Sequence, residues 1–112
     1  MNIEELRALG VNVDEGLERC MNNEGFYLGL VEKALKSDDL EKMKAAFENG
    51  EIEVAFSKAH DLKGMLGNLS ITPLYVPVSE FCDLLRGKNT VDDDGGYLDI
   101  IFSRFEKFKE LI

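Results

Sequence analysis

Apolar residues recur along most of this chain at intervals of three and four, the spacing of one face of an α-helix. The pattern is clearest between Glu51 and Ser70. The apolar positions in that stretch are Ile52, Ala55, Ala59, Leu62, Leu66 and Leu69. Alternating steps of three and four are typical of a helix that packs inside a helical bundle. We therefore predict a long amphipathic helix here, with this stripe in the core.

The same periodicity predicts further helices with short connections, and no segment alternates as a β-strand does. The predicted helices and their caps are Ile3–Leu9; a second to Met21 capped by Asn12 or Asp14; a third to Lys36 capped by Asn23; a fourth opened by Ser37 or Asp38 and stopped by Gly50; one from Thr72-Pro73 to Gly87; and a last, with Tyr97, Ile100, Ile101, Phe105 and Phe108 on one face. Pro77 interrupts the pattern, so we expect a late start or a kink there. The fold expected is all-α: a single domain over residues 1–112, an antiparallel up-down four-helix bundle with a short N-terminal helix.

The net charge of the chain limits the classes of partner that it is expected to bind. Lysine and arginine total 13 against 22 aspartate and glutamate, a net charge of −9. Phosphates of nucleic acid and anionic lipid surfaces would repel such a chain, so we expect neither as a partner. The first residues lack the basic and apolar regions of a signal peptide, and no apolar run approaches the roughly 20 residues of a membrane span. We expect a cytoplasmic protein.

The sequence contains no complete metal-binding or nucleotide-binding motif. Cys20 and Cys82 lie at apolar positions of different predicted helices, which favours core packing, and a single histidine without a Cys-x-x-Cys spacing disfavours zinc. The run Asp92–Gly95 lacks the first and twelfth ligands of a calcium loop, and Gly87–Asn89 lacks the rest of a P-loop. We expect no cofactor and no bound metal.

His60 is the only histidine, and an imidazole is the side chain that gains and loses a proton most readily near neutral pH. At about 100° per residue, His60 projects roughly 130° from the centre of the leucine stripe. Phe56, Lys63, Gly64 and Gly67 lie on the same side of the helix as His60. The imidazole is therefore expected to face solvent or a partner rather than the core.

The neighbours of His60 suggest what this face does. Two glycines inside a helix cost about 1 kcal/mol each relative to alanine, and clearing space for a partner beside the imidazole is the simplest reason for Gly64 and Gly67. Lys63 places an ammonium about one turn from His60, where it can stabilise an anion. Phe56 and Met65 are either apolar partner contacts that flank the site or partly buried core residues.

These residues resemble the signature helix of histidine-containing phosphotransfer (HPt) domains: His60-Asp61-Leu62-Lys63-Gly64, followed by Gly67-Asn68-Leu69. The segments Gly10–Arg19 and Asn23–Val31 are similar to the opening of that family, and Glu80 stands where the family tends to carry a glutamate. The resemblance covers roughly residues 8 to 109. Two positions depart from it: many members have glycine where Ser70 stands, and Pro77 is unusual in its helix.

The resemblance implies a phosphorelay carrier rather than an enzyme. His60 would accept a phosphoryl group and exchange it with an aspartate of a response-regulator receiver domain or with a histidine kinase, hybrid kinases included. Lys63 would stabilise the phosphoryl group, and Phe56, Gly64, Met65 and Gly67 would contact the partner. Phosphoryl transfer uses a metal ion with acidic ligands, which the resemblance assigns to the receiver as Mg²⁺. We expect the carrier itself to be a monomer.

Two other interpretations stay open. The chain can be a helical adaptor that docks a receiver domain without phosphotransfer, with His60 a mere contact. It can also be a generic acidic helical bundle whose surface histidine has no role. Retention of an acid-labile, alkali-stable label on His60 distinguishes phosphotransfer from the adaptor, and the generic bundle predicts no receiver binding.

Overall fold

The chain folds into seven α-helices and no strands, as the computed structural model of residues 1–112 shows. The helices are α1 (Ile3–Ala8), α2 (Val13–Arg19), α3 (Glu24–Leu35), α4 (Asp39–Glu48), α5 (Ile52–Asn68), α6 (Thr72–Leu85) and α7 (Tyr97–Lys109). The all-α prediction is confirmed. None of the seven helices combines the length and the apolar character needed to cross a membrane.

Asparagine side chains open the first three helices. Asn2, Asn12 and Asn23 each accept a hydrogen bond from the backbone N–H three residues on, which satisfies one of the free donors of a helix N-terminus. The predicted caps Asn12 and Asn23 are thereby confirmed. At α4 the Oγ atom of Ser37 accepts from the N–H of Asp39, while Asp38 makes no side-chain cap.

The helix that carries His60, α5, lies at the centre of the packing. It packs against α4 and α6, α6 packs against α7, and α3 contacts both α5 and α7. All six apolar stripe positions of the predicted helix are buried, whereas His60 is exposed, as its phase predicts. Cys20 and Cys82 are free thiols in the core, also as predicted.

Two details of the last helices differ from the prediction. Helix α6 has no late start: it begins at Thr72, with Ile71 as its N-cap, and continues through a buried Pro77. In α7 the core contains Leu98 in place of the predicted Ile100, which is 43% exposed. The helical phase of α7 is set by Ile101, Phe105 and Phe108, and Leu98 matches that phase better than Ile100 does.

Candidate functional site

The imidazole of His60 is exposed, and neither of its ring nitrogens takes part in a hydrogen bond within the chain. One turn earlier on α5, the Phe56 ring lies 6.1 Å from the imidazole, with the two planes at 37°. The guanidinium of Arg86, just after α6, lies over the Phe56 ring, 5.4 Å from its centroid. This cation–π contact stabilises the position of the Phe56 ring next to His60.

A cleft of about 240 Å³ opens on the C-terminal side of His60, between α5 and the first turn of α6. Its lining residues are His60, Lys63, Gly64, Gly67, Asn68 and Tyr75. Although the chain has 22 acidic residues, none of them lines this cleft. The cleft therefore presents an imidazole, an ammonium, an amide and a phenol, a donor set suited to an anion rather than to a metal cation.

Lys63 supplies the cationic group of the cleft. Its side chain is half-buried and forms no ion pair within the chain, so its charge is available to a ligand. Burial raises the pKa of the Cys82 thiol on α6, and the nearby charges of Lys63 and Arg86 oppose that shift. Cys82 is thus within electrostatic reach of both cations, on the face of α6 turned towards α5.

Gly64 and Gly67, both predicted to clear space beside His60, have different surroundings in the structure. A Cβ added at Gly64 would meet no atom within 4 Å, so the side of the helix next to His60 is open. A Cβ at Gly67 would stand 3.1 Å from Cε2 of Tyr75. The Tyr75 ring thus takes up part of the space beside Gly67, and Gly67 permits a close contact between α5 and α6. Gly67 also lines the open cleft, and its contact with a partner stays a prediction.

Met65 and Glu80 lie away from the cleft. Met65 is half-buried against the core and lines a shallow apolar groove with Leu30 of α3 and Leu69. Phe56 is also half-buried against the core, but its ring lies 6.1 Å from the imidazole of His60. Glu80 accepts a hydrogen bond from the Tyr97 hydroxyl at 3.3 Å, so its carboxylate faces α7 and not the imidazole.

The C-terminus of α5 is held by a polar network from α2. Arg19 donates to the carbonyl oxygens of Gly67 and Asn68, over 2.9 and 3.3 Å, and to the Ser70 hydroxyl over 2.7 Å. Ser70 in turn donates to Glu15. Ser70 has a left-handed φ of 56°, a conformation that favours glycine, and this network stabilises it there. The departure from the HPt pattern at this position thus has a local compensation.

Sequence reasoning missed Tyr75, Asn68 and Arg86 as site residues. A signal for Tyr75 was present, because a short turn centred near Ile71 makes α5 and α6 antiparallel neighbours. Residues equally far from such a turn face each other, and Gly67 and Tyr75 are each four residues from Ile71. The same register places Arg86 opposite Phe56.

Chemically, the arrangement offers an exposed nitrogen nucleophile beside an unpaired ammonium and an unobstructed approach past Gly64.

Comparison with protein-family models, with curated proteins and with solved structures finds no match to this chain.

Proposed function

We propose that this chain is a phosphocarrier of the HPt type, which accepts a phosphoryl group on His60 and passes it on. The observation that carries the proposal is the cleft itself: a free imidazole, the unpaired ammonium of Lys63 and an open face at Gly64 stand together. A phosphoryl group adds about two negative charges at pH 7, and a neighbouring ammonium stabilises them. No carboxylate lines the cleft, so none directly opposes the added charge there.

The proposed donor is an aspartyl phosphate of a receiver domain or a histidine kinase, and the proposed acceptor is the free aspartate of another receiver domain. In the forward step an imidazole nitrogen attacks phosphorus, the P–O bond of the acyl phosphate breaks, and the aspartate leaves as a carboxylate. The imidazole releases its ring proton to solvent. Onward transfer reverses these bond changes at another receiver. We assign Mg²⁺ and its acidic ligands to the receiver, so that the chain acts as a carrier and not as an enzyme.

The fold proposed for this carrier is an antiparallel four-helix bundle of α4 to α7, with α1 to α3 packed around it. Short connections between α4, α5 and α6 support the up-down order. Closure of α4 against α7 is supported by two contacts: Lys44 stands 5.0 Å from the Phe102 ring centroid, and Lys109 pairs with Glu41 at 3.6 Å. We also propose that the carrier is monomeric and cytoplasmic.

Labelling with a phosphorylated receiver tests the function. Receiver domains of the source organism are charged with acetyl phosphate and Mg²⁺, and the chain is then added. The expected result is an acid-labile, alkali-stable label on the wild type and none on His60→Gln, with unchanged helical circular dichroism. Since His60 is the only histidine, the site of a phosphohistidine is unambiguous.

Other outcomes separate the alternatives. A receiver that binds the chain but leaves no label would support the adaptor, and absence of both binding and label across the receivers would support a generic bundle. Full labelling of a folded His60→Gln variant would contradict the proposed acceptor.

A further inference from the structure

The cleft beside His60 contains a second hydrogen-bond donor, the phenol of Tyr75. Tyr75 lies in the first turn of α6, and it is one of three tyrosines. The other two use their hydroxyl groups within the chain: Tyr27 donates to the Leu69 carbonyl, and Tyr97 donates to Glu80. The Tyr75 hydroxyl has no hydrogen-bond partner in the chain, although its ring is half-buried. Tyr75 lines both this cleft and the neighbouring one that contains Glu15 and Arg19, so it brings a free donor to the boundary between the two.

The glycines of α5 give the cleft its shape. Gly67 lacks the Cβ that would stand 3.1 Å from the Tyr75 ring, and Gly64 has open space above it. The result is a trough along about two turns of α5, with His60 near its N-terminal end and Tyr75 against Gly67 near its C-terminal end. Its volume of about 240 Å³, open to solvent, far exceeds the roughly 10–15 Å³ that a single water requires. A tetrahedral oxyanion attached to the imidazole therefore has room inside the trough.

Charge around the trough favours an anion despite the acidity of the chain. Lys63 supplies a positive charge, and the lining has no carboxylate. Carbonyl groups at a helix C-terminus carry partial negative charge, which would oppose an anion near the end of α5. Arg19 satisfies two of these carbonyls, because its guanidinium donates to the oxygens of Gly67 and Asn68, while its charge is paired with Glu15 at 2.7 Å.

We propose that the hydroxyl of Tyr75 binds the phosphoryl group of phosphorylated His60, together with the ammonium of Lys63. This inference rests on the proposed carrier function for its biological purpose. Tyr75 donates a hydrogen bond to one phosphoryl oxygen while Lys63 pairs with another, so that the group lies in the trough when no partner is bound. In hydrolysis, water attacks phosphorus, the P–N bond breaks, and the imidazole takes up a proton as inorganic phosphate leaves. The two donors stabilise the dianion that precedes this step and slow its loss.

Phosphoramidate provides a test that needs no receiver. An imidazole nitrogen of His60 attacks phosphorus, the P–N bond of the reagent breaks, and the departing ammonia takes up the ring proton. The first-order loss of phosphohistidine is then followed by ³¹P NMR in the wild type, in Tyr75→Phe, and in Tyr97→Phe as the matched control. A hydrogen bond to a charged group is worth enough for about a tenfold change in rate, so we expect Tyr75→Phe to lose phosphate about tenfold faster. Tyr97→Phe should match the wild type.

Equal rates in the wild type and Tyr75→Phe would overturn the inference, as would equal acceleration in both variants. The ring is kept in Tyr75→Phe, so the packing against Gly67 is preserved, and matching thermal melts verify this. A changed ³¹P chemical shift in Tyr75→Phe alone would give independent support. Phosphoramidate reacts with an exposed imidazole whether or not a receiver does. A chain that passes this test and is never labelled by a receiver would keep the phosphoryl-binding role of Tyr75 and lose the carrier function.

Discussion

Arg104 of α7 donates a hydrogen bond from its guanidinium to the carbonyl oxygen of Pro73 in α6, over 2.8 Å. In a regular α-helix this carbonyl would accept from the N–H of residue 77. Pro77 has no N–H, so a side chain from the neighbouring helix provides a donor instead. The contact ties α7 to the turn of α6 that carries Tyr75, and thereby to one wall of the cleft.

We expect Arg104→Met to lower the free energy of unfolding by about 1 kcal/mol, because it removes one exposed hydrogen bond and keeps much of the apolar stem. In a Pro77→Ala background the restored N–H can serve the Pro73 carbonyl, so the same change should cost less. Urea unfolding of the four chains of this double-mutant cycle measures the difference. Equal losses in both backgrounds would show that Arg104 does not compensate for Pro77.

The buried hydroxyl of Tyr27 donates to the Leu69 carbonyl over 2.8 Å, which anchors α3 to the end of α5. Tyr27→Phe should lower the free energy of unfolding by about 1–3 kcal/mol, because it leaves a buried carbonyl without this donor. Thermal and urea unfolding at neutral pH measure the loss. Tyr97→Phe, which removes an exposed hydroxyl, serves as the control and should have little effect.

The same residue makes stability depend on alkaline pH. Burial, with a smaller contribution from the charge of Cys20, raises the pKa of Tyr27 to about 12. An unfolded tyrosine has a pKa of about 10, so the unfolded chain releases its proton first as the pH rises. The contribution of Tyr27 is therefore complete below about pH 10 and falls by up to roughly 2–3 kcal/mol as the pH approaches 12. The difference between wild type and Tyr27→Phe should shrink over this range, and a constant difference would contradict the shift.

The sequence predicted features that depend on a single helix, but it did not predict contacts between two helices. The exposure of His60 follows from the phase of α5 alone, and the caps at Asn12 and Asn23 follow from local backbone donors. Gly64 and Gly67 share that phase, yet only Gly67 is covered, because the position of Tyr75 depends on how α6 crosses α5. Contacts between helices, such as Arg104 with Pro73, leave no periodic signal along the chain.

Ser70 offers a test of local compensation. Ser70→Gly removes the cost of the left-handed φ but also the hydroxyl that contacts Arg19 and Glu15. Ser70→Ala loses the same hydroxyl and keeps the strained backbone. We expect Ser70→Ala to be less stable than Ser70→Gly by about 1 kcal/mol, as measured by urea unfolding. A more stable alanine variant would mean that the backbone is not strained at this position.

Substitutions at Gly64 and Gly67 distinguish a glycine that leaves open space beside His60 from one that permits close helix packing. Gly64→Ala should stabilise the chain by up to about 1 kcal/mol, because alanine favours the helix and the added Cβ meets no neighbour. Gly67→Ala gains the same propensity but must displace the Tyr75 ring, so it should be less stable than Gly64→Ala. Thermal melts compare the two.

Gly64→Leu should be at least as stable as the wild type and still transfer the phosphoryl group slowly, because its side chain fills the proposed path of approach to His60. Undiminished transfer would contradict that path.

Charge at Lys63 should matter more after phosphorylation than before it. The phosphoryl group adds about two negative charges to a chain whose net charge is already −9. Lys63→Ala should shift the equilibrium of phosphotransfer back towards the receiver, with little change in the free energy of unfolding, since Lys63 forms no ion pair within the chain. The measured quantity is the ratio of phosphorylated carrier to phosphorylated receiver at two salt concentrations.

Lys58→Ala is the matched control for Lys63→Ala. It removes one positive charge from the same helix, but Lys58 pairs with Asp39 of α4 and does not line the cleft. If the effect of Lys63 comes from direct contact with the phosphoryl group, Lys58→Ala should leave the ratio nearly unchanged, and raising the salt should weaken the Lys63 effect only in part. Lys63→Arg should recover some of the loss, because it restores the charge with a planar group in place of a compact ammonium. Equal shifts in Lys58→Ala and Lys63→Ala would mean that net charge, and not the position of Lys63 beside His60, sets the equilibrium.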